Sequence, residues 1–397
     1  MTKPKKKIIQ ILHHSSPDYS LKDKNDYQIP IDNWHSYLSR ELKKQIDSEY
    51  SIECWSPEAS ISKQIDEDVS GIKFRIFPSI RIKKGFEISF SLLWNLFSTT
   101  RRNETIVEIH GIHYIFSYFL MLIGSIYGKV LAQHHGDTFT YNANNNLIIK
   151  CLKNILHNVE KVALSFCEVI FYLNKYEKSY LSRFSKNAKL YFSTMGVDTT
   201  LFKPIDQINC RNKLDINLSS NVVLFVARCS LGKGIIELIK AISDLKEKVP
   251  ELKLIVIGDG YDKSDEITSL VKELKISDNL RFEGYVPNDQ LPFYLNASNV
   301  FCLPSYREGF PVACLEALAC NKEVVSTRVG GLPDFGNSFG MIKLVKPRDH
   351  YSLSVSLKEA INSNRTLDSR SIILRYFSWD VISKRRKNLY KMLYKNG

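Results

Sequence analysis

The chain has 397 residues, of which 44% are hydrophobic, 11% aromatic and 24% charged. This is the composition of a globular protein, and it excludes a long disordered chain, collagen and a small disulfide scaffold. The length predicts two domains, or three, since a domain commonly contains about 150 residues. The formal net charge of +13 suits partners that carry phosphate, such as nucleotides, nucleic acid or anionic lipid headgroups.

The first half of the sequence alternates short apolar runs with helical patterns. Continuous apolar strands separated by helices predict a parallel sheet covered on both faces, and short right-handed connections make it a doubly wound α/β domain. The predicted strands are 7–12, 51–55, 72–77, 105–110, 130–134, 169–173 and 189–192. The predicted helices include 34–45, 86–97 and 114–127.

Two apolar stretches need separate interpretation. The run 8–12 is too short for a secretory signal peptide. The longest stretch without Lys, Arg, Asp or Glu, Ile109 to Gly128, is long enough to span a bilayer. It contains His110 and His113 near one end and five glycine and serine residues, so a strand followed by a buried helix is the better interpretation.

The second half repeats the alternation more clearly and predicts a second doubly wound domain. Its predicted strands are 222–227, 252–257, 280–283, 300–304, 323–327 and 341–345, and its helices are 235–249, 264–274, 289–295, 311–319 and 350–362. The boundary is expected near Phe202-Lys203-Pro204, where a proline and a polar run interrupt the pattern. We therefore expect an N-terminal domain over 1–200 and a C-terminal domain over 201–375. Because ligands bind outside the carboxyl ends of strands in such sheets, the two domains are expected to face each other across a cleft.

The eight cysteines form no C-x-x-C pair, and none has zinc-binding spacing with a histidine. Most of them lie in apolar runs. They are expected to be reduced core cysteines of a cytoplasmic protein.

A first candidate site follows the strand 222–227 and opens a helix. It contains Arg228 at the carboxyl end of the strand and Lys233 at the start of the helix. A helix N-terminus presents free N–H groups and partial positive charge, so two added cations favour a diphosphate. The loop is not a Walker A loop, because it lacks G-x-x-x-x-G-K-[ST]. The alternative interpretation is a solvated turn with two surface cations.

A second candidate site follows the strand 300–304. Pro311 is placed to begin a helix, so Glu308 lies in the preceding loop and Glu316 in the second helical turn. Glu316 lies in an otherwise apolar helix, and a buried carboxylate needs partners, which the vicinal hydroxyls of a ribose would supply. Gly309 allows close approach of the backbone to a ligand. The alternative is an exposed glutamate on an amphipathic helix.

The E-x7-E spacing after a strand, with Gly-Phe-Pro inside it, resembles the retaining glycosyltransferases of the GT-B fold, specifically glycosyltransferase family four. Further motifs agree in order over about residues 190–390. They are Gly196-Val197-Asp198, Gly258-Asp259-Gly260, Gly284-Tyr285-Val286-Pro287, Gly330-Gly331-Leu332-Pro333-Asp334 and Phe377-Ser378-Trp379. The last of these resembles the start of a C-terminal helix, here 376–397, that crosses back to the N-terminal domain.

The resemblance implies a nucleoside-diphosphate sugar donor held by the C-terminal domain and an acceptor bound by the N-terminal domain. The implied donor-binding residues are Arg228, Lys233, Glu308, Gly309, Phe310, Pro311 and Glu316. Glu316 would bind the ribose, and Glu308, with the backbone of the next two residues, would contact the sugar. Arg228 and Lys233 would neutralise the leaving diphosphate, so neither a metal ion nor a cofactor is expected. Asp66-Glu67-Asp68 imitates the metal-binding D-x-D of another glycosyltransferase fold, but is expected to be a solvated loop.

The N-terminal half resembles the family more loosely. His110, at the end of a predicted strand, is similar to the family's active-site histidine, which would contact the donor sugar or orient the acceptor. His135 and the pair His13 and His14 follow other strands and are candidates for the acceptor side. Each of these histidines could instead be structural. The family's Gly-Gly loop after the first strand is absent, because residues 13–20 contain no glycine. Asn321 stands where a glycine often ends a helix, and asparagine also suits a left-handed cap.

The acceptor is expected to be a glycan or a lipid-linked sugar, in the synthesis of surface polysaccharide or glycolipid. Basic residues at 81–84 and 101–102 flank the aromatic helix 86–97, which suits a peripheral enzyme on the anionic inner face of the cell membrane. A core-packed helix with charged ends is the alternative. A sugar-nucleotide epimerase on a similar scaffold is the alternative function. A nucleic-acid-binding protein is not favoured, since helix-turn-helix, RNP-like and zinc patterns are absent from the sequence.

Overall fold

The computed structural model describes residues 6–12, 34–46, 49–83, 86–99, 105–135, 147–185, 187–363 and 368–395. The chain forms two compact units, one of residues 1–194 with 382–397 and the other of residues 195–381. Within the described residues, no helix combines the length and the apolar character needed to cross a membrane.

The first unit is built on one large sheet. Its strands are β1 (Lys6–Leu12), β2 (Tyr50–Glu58), β3 (Ile65–Val69), β4 (Ile72–Pro78), β5 (Ile80–Lys83), β6 (Phe86–Ile88), β7 (Thr105–His110), β8 (Lys129–Gln133), β9 (Cys167–Tyr172) and β10 (Lys189–Phe192). Its helices are α1 (Trp34–Gln45), α2 (Phe90–Thr99), α3 (Ile115–Tyr127), α4 (Leu147–Ser165) and α5 (Lys175–Ser182).

The sheet has the order β10-β9-β8-β7-β1-β2-β4-β3, and β5 and β6 form a separate hairpin. All pairs in the sheet are parallel except β3 with β4. The apolar residues of β1, β7 and β8 are buried, as a sheet covered on both faces requires. The predicted doubly wound architecture of this half is confirmed.

Two local expectations in the first unit are wrong. The predicted helix 86–97 begins later, because Phe86–Ile88 pairs antiparallel with β5 and α2 starts only at Phe90. Asp66-Glu67-Asp68 is not a loop but part of the edge strand β3, which pairs antiparallel with β4. Asp66 forms ion pairs there with Arg75 at 3.2 Å and Lys73 at 3.3 Å.

The uncharged stretch 109–128 is a strand end followed by α3, as predicted, but the helix is only half buried. Phe116, Leu120 and Met121 are buried in the core, whereas Phe119 and Leu122 are exposed. An uncharged sequence does not distinguish these two sides, because both are apolar.

The second unit contains a six-stranded sheet. Its strands are β11 (Asn221–Val226), β12 (Leu252–Ile257), β13 (Leu280–Gly284), β14 (Val300–Leu303), β15 (Glu323–Thr327) and β16 (Ile342–Val345). Its helices are α6 (Gln207–Lys213), α7 (Ile235–Leu245), α8 (Asp265–Glu273), α9 (Leu291–Ala297), α10 (Val312–Ala319), α11 (Leu332–Phe339), α12 (His350–Ile361) and α13 (Ser369–Tyr376). The helix α14 (Trp379–Lys395) follows, and most of it belongs to the first unit.

The strand order is β13-β12-β11-β14-β15-β16, and every pair is parallel. This is the doubly wound order: successive strands are added on one side of β11 up to β13, and from β14 onwards they are added on its other side. Ligands of such sheets bind outside the carboxyl ends of the strands at this reversal. The loops that follow β11 and β14 are the two loops that carry the candidate donor residues.

The units divide at Thr194/Met195 and Val381/Ile382, a few residues from the boundaries expected at 200/201 and 375/376. The boundaries differ because the two segments that connect the units, near residues 196 and 379, pair with each other. Val197 pairs with Ser378, and a Cβ placed on Gly196 would lie 2.4 Å from the ring of Trp379. These segments therefore pack together within the second unit. The predicted left-handed cap at Asn321 is confirmed by its φ of 56°.

Candidate donor-binding site

The loop after β11 carries the two predicted cations. Ser230 caps a single 3-10 turn over Leu231–Lys233, and α7 begins directly afterwards. Arg228 is exposed, and its guanidinium makes no hydrogen bond or ion pair with any residue that the structure describes. Its carbonyl accepts a 2.8 Å hydrogen bond from the hydroxyl of Tyr261, which holds the backbone while the side chain stays available.

Close backbone packing and a backbone hydrogen bond connect this loop to the loop after β14. Gly234 has a φ of 77°, and a Cβ at this position would lie 1.9 Å from the carbonyl oxygen of Pro304. The Tyr306 N–H donates to the Gly232 carbonyl at 2.8 Å. The backbone positions of the two loops are therefore fixed relative to each other before any ligand binds, and only glycine fits at residue 234.

Lys233 and Glu308 meet across these two loops. The Lys233 Nζ lies 2.7 Å from the Glu308 Oε1, which also accepts a 2.6 Å hydrogen bond from the Ser305 hydroxyl. Both charged side chains are partly buried. An ammonium has three donors, so Lys233 keeps further donors for a phosphate while Glu308 holds its position. The sequence analysis assigned Lys233 to the diphosphate and Glu308 to the sugar, and it did not indicate that the two side chains form an ion pair.

Glu316 lies in the second turn of α10, eight residues after Glu308. The side chain is partly buried, and burial raises the pKa of its carboxyl from 4.5 to about 7. Its carboxylate makes no hydrogen bond or ion pair within the described part of the chain. The side chain keeps partial contact with solvent, and two ligand hydroxyls would supply the donors that the described protein groups do not.

The segment 309–311 is held by a third loop, the one that follows β15. Gly330 has a φ of 57°, and a Cβ there would lie 2.3 Å from the Gly309 carbonyl oxygen. The Phe310 ring packs with the rings of Phe335 and Phe377. Pro311 caps α10 instead of forming its first helical residue, since the helix begins at Val312. Residues 309–311 thus form a rigid turn beside Glu308.

Six of the seven free cysteines that the structure describes are buried, in agreement with the prediction of core cysteines. Cys229 is the exposed member of this group and follows Arg228 in the cationic loop. Its position makes it a natural chemical probe of this loop.

His110 ends β7 in the first unit and is fully buried. Its Nδ1 lies 3.3 Å from the His135 Nε2, and its Nε2 lies 3.6 Å from the Glu108 Oε1. The structure therefore brings together two of the predicted histidines. His13 and His14 lie outside the described residues.

Sequence reasoning missed the support behind His110. Glu108 is fully buried and accepts a 2.6 Å hydrogen bond from Arg386 and a further one from the Tyr390 hydroxyl, both on α14. Burial and the neighbouring Glu108 charge raise the pKa of Tyr390 well above its ordinary value. These residues are separated by more than 270 positions in sequence, so no local pattern indicates their contact.

A second buried cluster lies next to His135. The His134 Nε2 lies 2.7 Å from the His113 Nε2, and each ring has a carboxylate on its other side. Glu177 is 3.0 Å from His134, and Glu160 is 2.7 Å from His113. The cluster fixes the end of β8, from which His135 projects. Among the described residues no group of histidine, cysteine and acidic side chains has the arrangement of a metal site.

Comparison with known proteins finds a family that is similar to part of the chain. Residues 206–372 match the family of glycosyl transferases group 1. A D-inositol 3-phosphate glycosyltransferase from Kribbella flavida is 34% identical over 153 residues, which are 36% of this chain and 36% of that protein. The chain spans between 31% and 52% of the length of the curated relatives it matches.

Solved structures agree on the fold. Sucrose-phosphate synthase from Thermosynechococcus elongatus superposes with a TM-score of 0.74 at 20% identity, covering 99% of this chain and 100% of that one. HepE from Anabaena in complex with UDP superposes with a TM-score of 0.72 at 14% identity, covering 97% and 100%. The chain therefore has the GT-B fold, and its residues 206–372 are similar to the glycosyl transferases group 1 family.

Proposed function

We propose that the protein is a retaining glycosyltransferase that moves a sugar from a nucleoside-diphosphate sugar to a hydroxyl of a glycan or lipid-linked acceptor. The observation that carries the proposal is the convergence of Arg228, Lys233 and Glu308 on the loops where the second sheet reverses direction, with Glu316 behind them. Two cations favour a diphosphate, and two carboxylates favour the hydroxyls of ribose and sugar.

In this proposal the diphosphate binds at the start of α7. The partial positive charge of the α7 N-terminus adds to the charges of Arg228 and Lys233. Negative charge grows on the diphosphate as the glycosyl–phosphate bond breaks, and fixed cations stabilise it most at that point. Transfer would then proceed without a bound metal ion.

Retention requires attack on the same face of the sugar from which the diphosphate leaves, or a covalent intermediate on an enzyme nucleophile. We favour the first route, because the strongest site residues serve the phosphates. The acceptor oxygen bonds to the anomeric carbon, the bond to the phosphate oxygen breaks, and that phosphate oxygen takes the acceptor proton. His110, supported by Glu108, would orient the donor sugar or the acceptor hydroxyl. His135, 3.3 Å from His110, would lie on the acceptor side.

The test has two parts. Thermal unfolding with a panel of nucleotide sugars identifies the donor, and uridine diphosphate sugars come first because the similar HepE structure holds UDP. A ligand at 100 times its dissociation constant adds about 2.7 kcal/mol to the free energy of unfolding. Labelled donor is then incubated with acceptor glycans and lipid-linked sugars, with and without EDTA.

Label in the acceptor, with the donor's anomeric configuration kept and EDTA without effect, supports the proposal. Label recovered only as an epimerised free nucleotide sugar would assign the protein to the epimerases instead. Loss of transfer in EDTA with rescue by manganese or magnesium would contradict the metal-independent route. Inverted configuration in the product would contradict same-face attack.

A further inference from the structure

Two histidines and two glutamates lie together in the core of the first unit. The His113 Nε2 is 2.7 Å from the His134 Nε2, and we call these two residues the ring pair. The Glu160 Oε1 lies 2.7 Å from the His113 Nδ1, and the Glu177 Oε2 lies 3.0 Å from the His134 Nδ1. His134, Glu160 and Glu177 are buried, and the His113 side chain is 9% exposed. Buried titratable groups in contact restrict one another's protonation, and the proposed transfer gives none of these four a role.

The distances determine where the protons of the ring pair lie. Glu177 is held as an acceptor, because its Oε1 accepts from the Asn174 side-chain amide at 2.9 Å and its Oε2 from the Leu173 N–H at 2.8 Å. The His134 Nδ1 beside it therefore carries a proton. Between the two Nε2 atoms, 2.7 Å apart, one proton is needed, since two lone pairs or two N–H groups would repel each other at that distance. The ring pair thus shares a single Nε2 proton.

The Glu160 side of the ring pair completes its charge. The Glu160 carboxylate faces the His113 Nδ1, which favours a proton on that nitrogen, and its Oε2 accepts a 3.1 Å hydrogen bond from the Tyr180 hydroxyl. Burial and the Glu160 charge raise the pKa of Tyr180, so this hydroxyl stays protonated. The ring pair therefore carries one positive charge between two carboxylates.

The other groups around the ring pair are few. Helix α3 adds no charged side chain. The titratable groups that the structure describes there are Glu160 and His157 on α4, Glu177 and Tyr180 on α5, and His110 and His135 at the ends of β7 and β8.

The ring pair joins the two segments that carry His110 and His135. His113 lies in the loop after β7, three residues beyond His110, and His134 directly precedes His135. In the same loop Gly111 has a φ of 92°, and its N–H donates to the carbonyl of the last residue of β8 at 2.9 Å. This backbone hydrogen bond and the ring contact together hold the loop against the end of β8. Loss of the ring contact would remove one of these two restraints on the 3.3 Å separation between ring nitrogens of His110 and His135.

We propose that His113 and His134 are positioning residues that hold His110 and His135 for sugar transfer while the ring pair shares one Nε2 proton. A second Nε2 proton, taken up from solvent, would place two N–H groups against each other and separate the rings. The loop after β7 would then shift at His110, and the end of β8 at His135.

The inference rests on the proposed function and adds to it a dependence on pH. The rate of transfer at saturating donor falls as the pH is lowered, because the ring pair gains its second Nε2 proton. This effect is separate from that of Glu316, which acts on UDP affinity in the second unit and is the same in every variant of the ring pair.

The first test measures kcat at saturating donor between about pH 8 and about pH 5, the range in which histidine side chains titrate. His113→Gln introduces an amide that does not titrate and that can donate to the His134 Nε2 or accept from it. We expect this variant to match the unmodified chain at the alkaline end and to lose less of its rate as the pH falls. His113→Ala removes the contact and should lower kcat about ten- to hundredfold at the alkaline end with UDP affinity unchanged, because small displacements of catalytic groups cost this much.

His157→Gln is the matched control. His157 is partly exposed, and its Nδ1 lies 3.7 Å from the Glu160 Oε2, so it contacts the same carboxylate as His113 without belonging to the ring pair. The control should keep both the rate and the pH profile of the unmodified chain. Parallel pH profiles for His113→Gln and the unmodified chain would overturn the proposal, and so would an unchanged kcat in His113→Ala.

The second test does not depend on transfer. With isotope-labelled histidine, nuclear magnetic resonance of the full chain should show a coupling between the His113 and His134 Nε2 nuclei through the shared proton at about pH 8, and its loss at about pH 5. The ring signals of His110 and His135 should move in His113→Ala and stay in place in His157→Gln. Absence of the coupling at the higher pH, or unmoved signals in His113→Ala, would show that the ring pair does not act in this way.

Two further outcomes keep the proposals distinguishable. If His113→Ala does not fold, the pH profile of His113→Gln and the coupling in the unmodified chain decide. If the unmodified chain gives the expected spectra but transfers no sugar, the proposed function is wrong, whereas the shared proton and its hold on His110 and His135 are confirmed.

Discussion

Replacing Glu316 by glutamine should stabilise the ligand-free protein and weaken its binding of nucleotide. Burial raises the pKa of this carboxyl from 4.5 to about 7. Between these pH values the folded protein keeps a proton that the unfolded chain releases. The free energy of unfolding therefore falls as pH rises from about 4.5 to about 7, and the loss is complete above pH 7.

The magnitude follows from the size of the shift. A rise from 4.5 to about 7 corresponds to about 3 kcal/mol, which is an upper limit because the side chain is only partly buried. Glu316→Gln removes the charge and should recover up to that amount at pH 8 and almost nothing at pH 5. One kcal/mol moves the unfolding temperature of a 150–250-residue domain by about 2–4 °C, so calorimetry can resolve the gain.

Nucleotide binding should change in the opposite direction. Hydrogen bonds from ribose hydroxyls to a charged acceptor contribute about 1.5–3 kcal/mol, so Glu316→Gln should weaken UDP binding about ten- to hundredfold at pH 8. Titration calorimetry across pH gives a second signature. The affinity of the unmodified protein should fall below pH 7 as Glu316 takes up a proton, and the affinity of the variant should stay flat.

Glu308→Gln, in the loop just before α10, is the matched control for Glu316→Gln. It removes the carboxylate that holds Lys233 at 2.7 Å, so it should lower the free energy of unfolding by about 1–2 kcal/mol, opposite in sign to Glu316→Gln. Reduced stability of Glu316→Gln at pH 8, or unchanged affinity for UDP, would show that Glu316 already has its partners and does not face the ribose.

Four further outcomes are expected. Lys233→Ala should lower kcat about 10²–10³-fold, since a fixed cation acts mainly on the leaving group, and a change in KM alone would contradict that role. Arg228→Lys should have a lower rate than the unmodified protein, because lysine lacks the planar guanidinium that can hydrogen-bond two phosphate oxygens at once. Saturating UDP should slow the alkylation of exposed Cys229 by iodoacetamide, and equal rates with and without UDP would place the diphosphate elsewhere. Tyr390→Phe should lower the free energy of unfolding by about 1–3 kcal/mol by leaving Glu108 short of a donor. Its affinity for UDP should not change, and equal stability of variant and unmodified protein would mean that Glu108 has other donors.

The sequence predicted the second unit well because its signals are local. Its strands are continuous apolar runs, and the two acidic positions lie eight residues apart on one strand, loop and helix, so both the elements and the candidate loops could be placed. The helix 86–97 was misplaced because Phe86–Ile88 has an apolar pattern that fits a helix or a strand, and only its pairing with β5 decides between them.

Contacts between distant segments could not be predicted in the same way. Lys233 and Glu308 are 75 residues apart, and Arg386 and Glu108 are 278 residues apart. Neither pair has a spacing that indicates contact. The exposed side of α3 was missed for another reason, since hydrophobicity identifies apolar residues but does not say whether protein or another apolar phase covers them.

The position of α14 has a consequence for synthesis. Arg386 and Tyr390 complete the buried environment of Glu108, yet the ribosome makes them after all of residues 195–381. At about 5–20 residues per second, the first unit would remain for roughly 10–40 s with the Glu108 carboxylate in its core and without the Arg386 guanidinium that pairs with it. The second unit is one continuous stretch, residues 195–381, and can close first. The order of folding on the ribosome would then be the reverse of the order of translation.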